Sequence, residues 1–162
     1  MALSWQGLRR LGEGVEMTGP SLSRVVVPVA NCDDAAATAT SLRSYLATDS
    51  TVIAVHVIQK AGGAPDKSSV EQREQRAAEI FSIITEAFDD SGVVIETDLR
   101  YGTDIASSIV GTAHDRGASA IVFTPRGGSR WRKLLTGDVT HNLVLSSDVP
   151  ILVLPDCGES QA

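Results

Sequence analysis

The stretch FTPRGGSRWRKLLTGDVTHNL, residues 123–143, brings glycines, cations and hydroxyls together in a way that could hold a phosphate. Gly127 allows close backbone approach, and Gly137 opens a segment with helical spacing. Unpaired N–H groups converge at such a helix start, where the dipole end is positive. Arg126, Arg130, Arg132 and Lys133 add four cations able to reach phosphate oxygens, and Thr136 and Thr140 add hydroxyls. Asp138 opposes this chemistry. A carboxylate in the first helical turn occupies the place of an incoming anion, so the stretch also reads as a solvated basic connector leading into a self-capped helix. The glycines fit neither GxxxxGK[ST] nor GxGxxG.

Other chemistries find less material. There is no GxSxG, no Cys–His pair, and no pair of carboxylates converging on one strand end. Cys32 and Cys157 lie far apart without a CxxC, which supports neither a zinc site nor a redox motif and suits a reducing cytoplasm. His56 reads as a histidine satisfied within the layers covering a sheet, and His114 as a surface residue in the last turn of a helix. Trp131 among arginines is a single aromatic in an acidic chain, too little for RNA stacking.

The elements that must position the loop alternate regularly. RVVVPVA from Arg24, TVIAVHVI from Thr51, ASAIVFT from Ala118 and VPILVLP from Val149 are short apolar runs rich in β-branched residues, the pattern of strands covered on both faces. VVIETDLRY from Val93 is more polar and is placed near a sheet edge. Helices fall between them. Asp33 and Asp34 supply cap chemistry for the first, with Ala36, Ala39, Leu42, Arg43 and Leu46 at helical spacing. Ser68 with Glu71 and Ser69 with Gln72 are spaced as capping boxes for the second, whose inner face carries Ala77, Ile80, Phe81, Ile84, Ala87 and Phe88. The opposite side, EQREQR, is a solvated charge run. Thr103 caps the third, which stops at Gly117. The fourth runs from about Gly137 to Ser146. This order predicts an α/β fold, a five-stranded parallel sheet between helices in three layers, with ligands at the carboxyl ends of the strands.

The 162 residues suffice for one domain without a metal or disulfide staple. Residues 1–22 read as an N-terminal extension, 23–156 as the domain and 157–162 as a tail; four glycines before position 20 weaken any helix there. A net charge of −6 disfavours nonspecific binding to nucleic acid or to anionic lipid. No run approaches the ~20 apolar residues of a spanning helix, and the expected location is the cytoplasm. An apolar last strand invites pairing with another chain; Pro150 and Pro155 limit the ladder to the residues between them.

From about Arg24 to Pro155 the chain resembles the universal stress protein family, through VVVPV, AVHVI, KLLTGDVTHNLV and VPILVLP in that order and spacing. The family's hallmark is glycine, two residues, glycine, nine residues, then glycine followed by serine or threonine. Here that frame holds Thr124, Gly127, Gly137 and Asp138. The resemblance implies a flavodoxin-like domain, similar to the adenine-nucleotide α-hydrolases, and a homodimer through the strand at 150–155. It also implies a family split between members that bind ATP and members that do not. The positions matching the nucleotide-binding pattern are Pro28, Val29, Val57, Gly127, Gly137 and Val139; Arg126 joins the candidate site through its charge in the loop.

Three positions depart from that pattern. Ala30 stands where ATP-binding members have an acidic residue, Thr124 replaces the first glycine, and Asp138 replaces the hydroxyl residue. Two like charges ~4 Å apart repel by about 1 kcal/mol in water and by ~4 kcal/mol at an effective dielectric of 20, so Asp138 weighs most. The expectation is a non-enzymatic, dimeric regulatory domain with a degenerate phosphate loop, engaging an unidentified protein partner. The alternative is an ATP sensor or slow ATPase, with ATP and magnesium as the candidate ligand and a divalent ion bridging Asp138 to phosphate.

Overall fold

The computed structural model describes residues 22–60, 67–124 and 138–155, with the side chains of residues 67, 68 and 138–140 excepted. In chain order the elements are β1 (Arg24–Pro28), α1 (Cys32–Leu42), β2 (Thr51–Gln59), α2 (Lys67–Ala87), β3 (Val94–Gly102), α3 (Ile105–Asp115), β4 (Ala120–Phe123), α4 (Asp138–Ser146) and β5 (Ile151–Val153). The strands form one sheet in the order β3-β2-β1-β4-β5. Every pairing is parallel.

The continuous apolar runs are explained by burial on both faces. Val25, Val26 and Val27 of β1 have no exposure, as do Val52, Ile53 and Ala54 of β2. Successive side chains point to opposite faces, and the two faces close two separate cores. Val25, Val27, Val52 and Ala54 pack with Leu42 of α1 and Ile80 and Ile84 of α2. Val26, Ile53 and Val55 pack with Ile109 and Ala113 of α3 and Leu143 of α4. Each such side chain contributes about 1.5–3 kcal/mol relative to exposure, which makes the inner strands the rigid base for their carboxyl ends.

The edges fall where composition placed them. β3 pairs only with β2, and β5 only with β4, among the described strands. VPILVLP yields a three-residue ladder, since proline at either side donates no N–H. Leu22 packs against the first core; the rest of the N-terminal extension and the tail lie outside the described residues.

Helix starts differ from the sequence reading. Asn31, not an aspartate, is the N-cap of α1: its Oδ1 accepts from the Asp34 N–H at 2.9 Å. The stripe that faces the core is Ala35, Thr38, Ala39 and Leu42, while Ala36 and Arg43 are exposed. Asp104, not Thr103, caps α3, accepting from the Ser107 N–H at 2.7 Å; a carboxylate there also meets the helix dipole. α2 already includes Ser68 and Ser69, so neither can be the start of a capping box. The stop at Gly117 holds: φ is +60°, Ala118 N donates to Ala113 O at 2.8 Å, and Gly117 N donates to His114 O at 3.1 Å.

Candidate functional site

α1 and α2 cover one face of the sheet and α3 and α4 the other, so the winding reverses between β1 and β4. The crevice beyond the carboxyl ends of these two strands is where such sheets receive ligands. β1 delivers Pro28, half-buried, and Val29, 3% exposed, to its rim. Val29 is fixed twice by β2: its N–H donates to the Val55 carbonyl at 2.9 Å, and its carbonyl accepts from His56 Nδ1 at 2.8 Å. A carbonyl can only accept, so that bond assigns the ring hydrogen to Nδ1. His56 is half-buried rather than sealed in the covering layer, and it holds the turn after β1 in place.

The next residue carries the main electrostatic feature. Ala30 is exposed, and its N–H donates to Asp34 Oδ2 at 2.8 Å. Asp34 is 4% exposed and lies in the first turn of α1. Its carboxylate therefore occupies an orphan donor beside a helix N-terminus, the kind of donor that would otherwise bind an anion. No carboxylate stands at Ala30 itself, and the nearest buried one is committed to the backbone.

At the other side of the crevice, Thr124 follows β4 directly and is 1% exposed. Its Oγ1 has no hydrogen-bond partner, alone among the buried side-chain polar atoms of the described residues. An unpaired buried hydroxyl costs on the order of 1–3 kcal/mol. α4 is described from Asp138, with Val139 next. Arg126, Gly127 and Gly137 lie outside the described residues, as do Arg130, Arg132 and Lys133. Val57 is half-buried and packs on the α3 side of β2, the face opposite His56.

A second cluster has a structural role. Arg24, Glu96, Arg116, Asp98, Arg100 and Asp115 alternate in sign as a chain of ion pairs 2.9–3.5 Å long, joining the start of β1 to β3 and to the end of α3. Burial disfavours the ionised Asp98, but hydrogen bonds from Arg100 and Arg116 outweigh it and hold the carboxyl below its ordinary value. The bond to Asp98 raises Arg100 in turn. Tyr101 donates to Glu74 Oε1 at 2.5 Å, tying β3 to α2, and that carboxylate raises the phenol.

The described histidines make structural bonds. His56 bonds a main-chain carbonyl, and His114 Nε2 pairs with Asp148 at 2.7 Å; neither bond goes to a hydroxyl or thiol. Among the described residues no group of three or more His, Cys, Asp or Glu could hold a metal, and no helix is long and apolar enough to cross a membrane. Sequence reasoning placed Pro28, Val29 and Thr124 at the crevice, but it missed Asn31, Asp34 and His56 as the groups that shape it. The Asn31–Asp34 spacing of three was the available signal.

Three solved structures resemble this fold closely. One from the universal stress protein family of Burkholderia pseudomallei superposes with a TM-score of 0.63 at 21% identity, covering 85% of this chain and 98% of that one. A universal stress protein from Archaeoglobus fulgidus in complex with dAMP gives 0.55 at 21%, covering 84% and 99%. One from Arabidopsis thaliana with AMP bound gives 0.60 at 16%, covering 84% and 93%. No curated protein matches the chain in sequence. The model of the universal stress protein family matches residues 22–155, which span every element described above. The chain therefore belongs to the universal stress protein family.

Proposed function

We propose that this protein is a non-enzymatic regulatory domain that acts as a homodimer through β5 and has lost most of its affinity for triphosphates. The observation that carries the reading is the bond from the Ala30 N–H to the Asp34 carboxylate, an internal anion at the rim of the ligand crevice. Asp138 at the first position of α4 supports it from the other side. With a carboxylate at both helix starts, added phosphate meets like charge at each. β5 has no partner on its outer edge among the described residues, and Val153 there is 46% exposed, which supports the dimer.

A second reading, a nucleotide sensor, is favoured by Thr124. A buried hydroxyl without a partner at the crevice could be satisfied by a ligand, and relatives of this fold carry AMP and dAMP. Calorimetric titration of ATP with magnesium separates the two. The regulatory reading expects binding by Asp138→Ser and little or none by the wild type; micromolar binding by the wild type favours the sensor.

A further inference from the structure

We infer that a second, anion-binding site lies over the end of β2, built from Arg73 and Arg76 of α2 and His56 of β2, and that it takes a phosphoryl-class oxyanion. A cavity of about 230 Å³ opens there, lined by His56, Val57, Ile58, Gln59, Arg73 and Arg76. At ~30 Å³ per water it has room for roughly seven waters, enough for a phosphoryl group with part of its hydration shell. Among the described residues its lining includes two guanidiniums, an imidazole and an amide, and no carboxylate.

The pairing of arginines elsewhere makes this arrangement informative. Arg24, Arg100 and Arg116 are each bonded to carboxylates in the chain of ion pairs. Arg73 and Arg76 have no ion pair among the described residues, in a chain with 20 Asp and Glu against 14 Lys and Arg. Three residues apart on one helix, they are neighbours on its surface, and both line the same cavity. Of the close carboxylates, Glu74 accepts from Tyr101, and Glu79 shares with the two arginines a neighbouring hollow of about 480 Å³ without an ion pair to either. His56 keeps its Nδ1 hydrogen on the Val29 carbonyl, which leaves Nε2 as an acceptor for a hydroxyl hydrogen of a ligand.

The chemistry favours phosphate over carboxylate. One arginine fork satisfies a planar carboxylate, whereas two forks match the several oxygens of a tetrahedral hydrogen phosphate, whose P–OH can donate to the lone pair of His56 Nε2. The site stands on the α1 and α2 side of the sheet and does not depend on the nucleotide reading. Bonding of its ligand to His56 would also bear on the turn after β1, through the Val29 carbonyl.

The test uses the full chain and inorganic phosphate, followed by the His56 ring resonances in two-dimensional NMR. The Arg73→Gln/Arg76→Gln variant keeps good helix formers at exposed positions, so its fold should persist. Saturable shifts of His56 in the wild type, with affinity weakened roughly tenfold or more in the double variant, are expected. Arg43→Gln, an exposed arginine outside the cavity, should leave the affinity unchanged. Absence of saturation, an unchanged double variant, or an equal loss in Arg43→Gln would overturn the site. AMP in a parallel arm identifies the source of the phosphoryl group. If AMP binds and the double variant weakens it as it weakens phosphate, the site holds a nucleotide's phosphate; if only free phosphate responds, it holds the inorganic ion.

Discussion

Asp34 Oδ2 and the Ala30 N–H lie 2.8 Å apart, while the Asp34 N–H donates to Asn31 Oδ1 at 2.9 Å. The two bonds close the turn between β1 and α1 from both directions, much as a capping box does, but with the carboxylate reaching one residue further back. The same bonds place a carboxylate on a backbone donor beside the N-terminus of α1.

Removing that carboxylate should cost stability. Asp34→Ala loses a charge-assisted bond and leaves a backbone donor unpaired, so a destabilisation of about 1–2 kcal/mol is expected from urea unfolding. In a domain of this size that lowers Tm by about 2–4 °C per kcal/mol. A variant as stable as the wild type would mean that water replaces Asp34 without cost.

The chain of ion pairs should make stability depend on pH. Asp98 has an ordinary value of 3.8 and is held lower in the fold, so its contribution is complete above 3.8 and disappears as pH falls through the lower folded value. Asp98→Asn should therefore be less stable than the wild type at pH 7 by about 1–3 kcal/mol, and the gap should close as the pH is taken well below 3.8. A gap that stays constant over that range would contradict the assignment.

Gly117 tests a backbone effect free of packing. Its φ is +60°, and a Cβ there would meet nothing within 4 Å. Gly117→Ala should cost about 1 kcal/mol through conformation alone, and Gly117→Asn less, since asparagine tolerates the left-handed region better. Equal losses for both would place the cost outside the backbone.

The proposed dimer has a direct probe at Val153, exposed on the last strand. Val153→Lys puts a charge on the edge that would pair with a second copy, and should convert a dimer to a monomer in sedimentation without loss of secondary structure. An unchanged dimer would move the interface elsewhere.

How far these features could be read from sequence depends on the range of the forces behind them. Continuous β-branched runs such as Val25–Val27 identify buried parallel strands because burial on both faces leaves no room for alternation. Gly117 is readable because its conformation is local. Caps were less legible: Thr103 and Asp104 are both good candidates, and the choice rests on the direction in which the chain leaves β3. Arg73 and Arg76 read as part of a solvated run, and they are exposed; their position over the end of β2 follows from tertiary packing that no local spacing encodes.

The central claim is that internal carboxylates have replaced phosphate in the crevice, and a ligand series tests it most directly. Affinities of adenosine, AMP and ATP with magnesium should be measured by calorimetry on the wild type and on Asp138→Ser. If the claim holds, wild-type affinity falls as phosphates are added, and the serine variant recovers ATP by a factor of ten or more, since a few kcal/mol of like-charge repulsion is relieved. Wild-type affinity that rises from adenosine to ATP, with no gain in the variant, would contradict it.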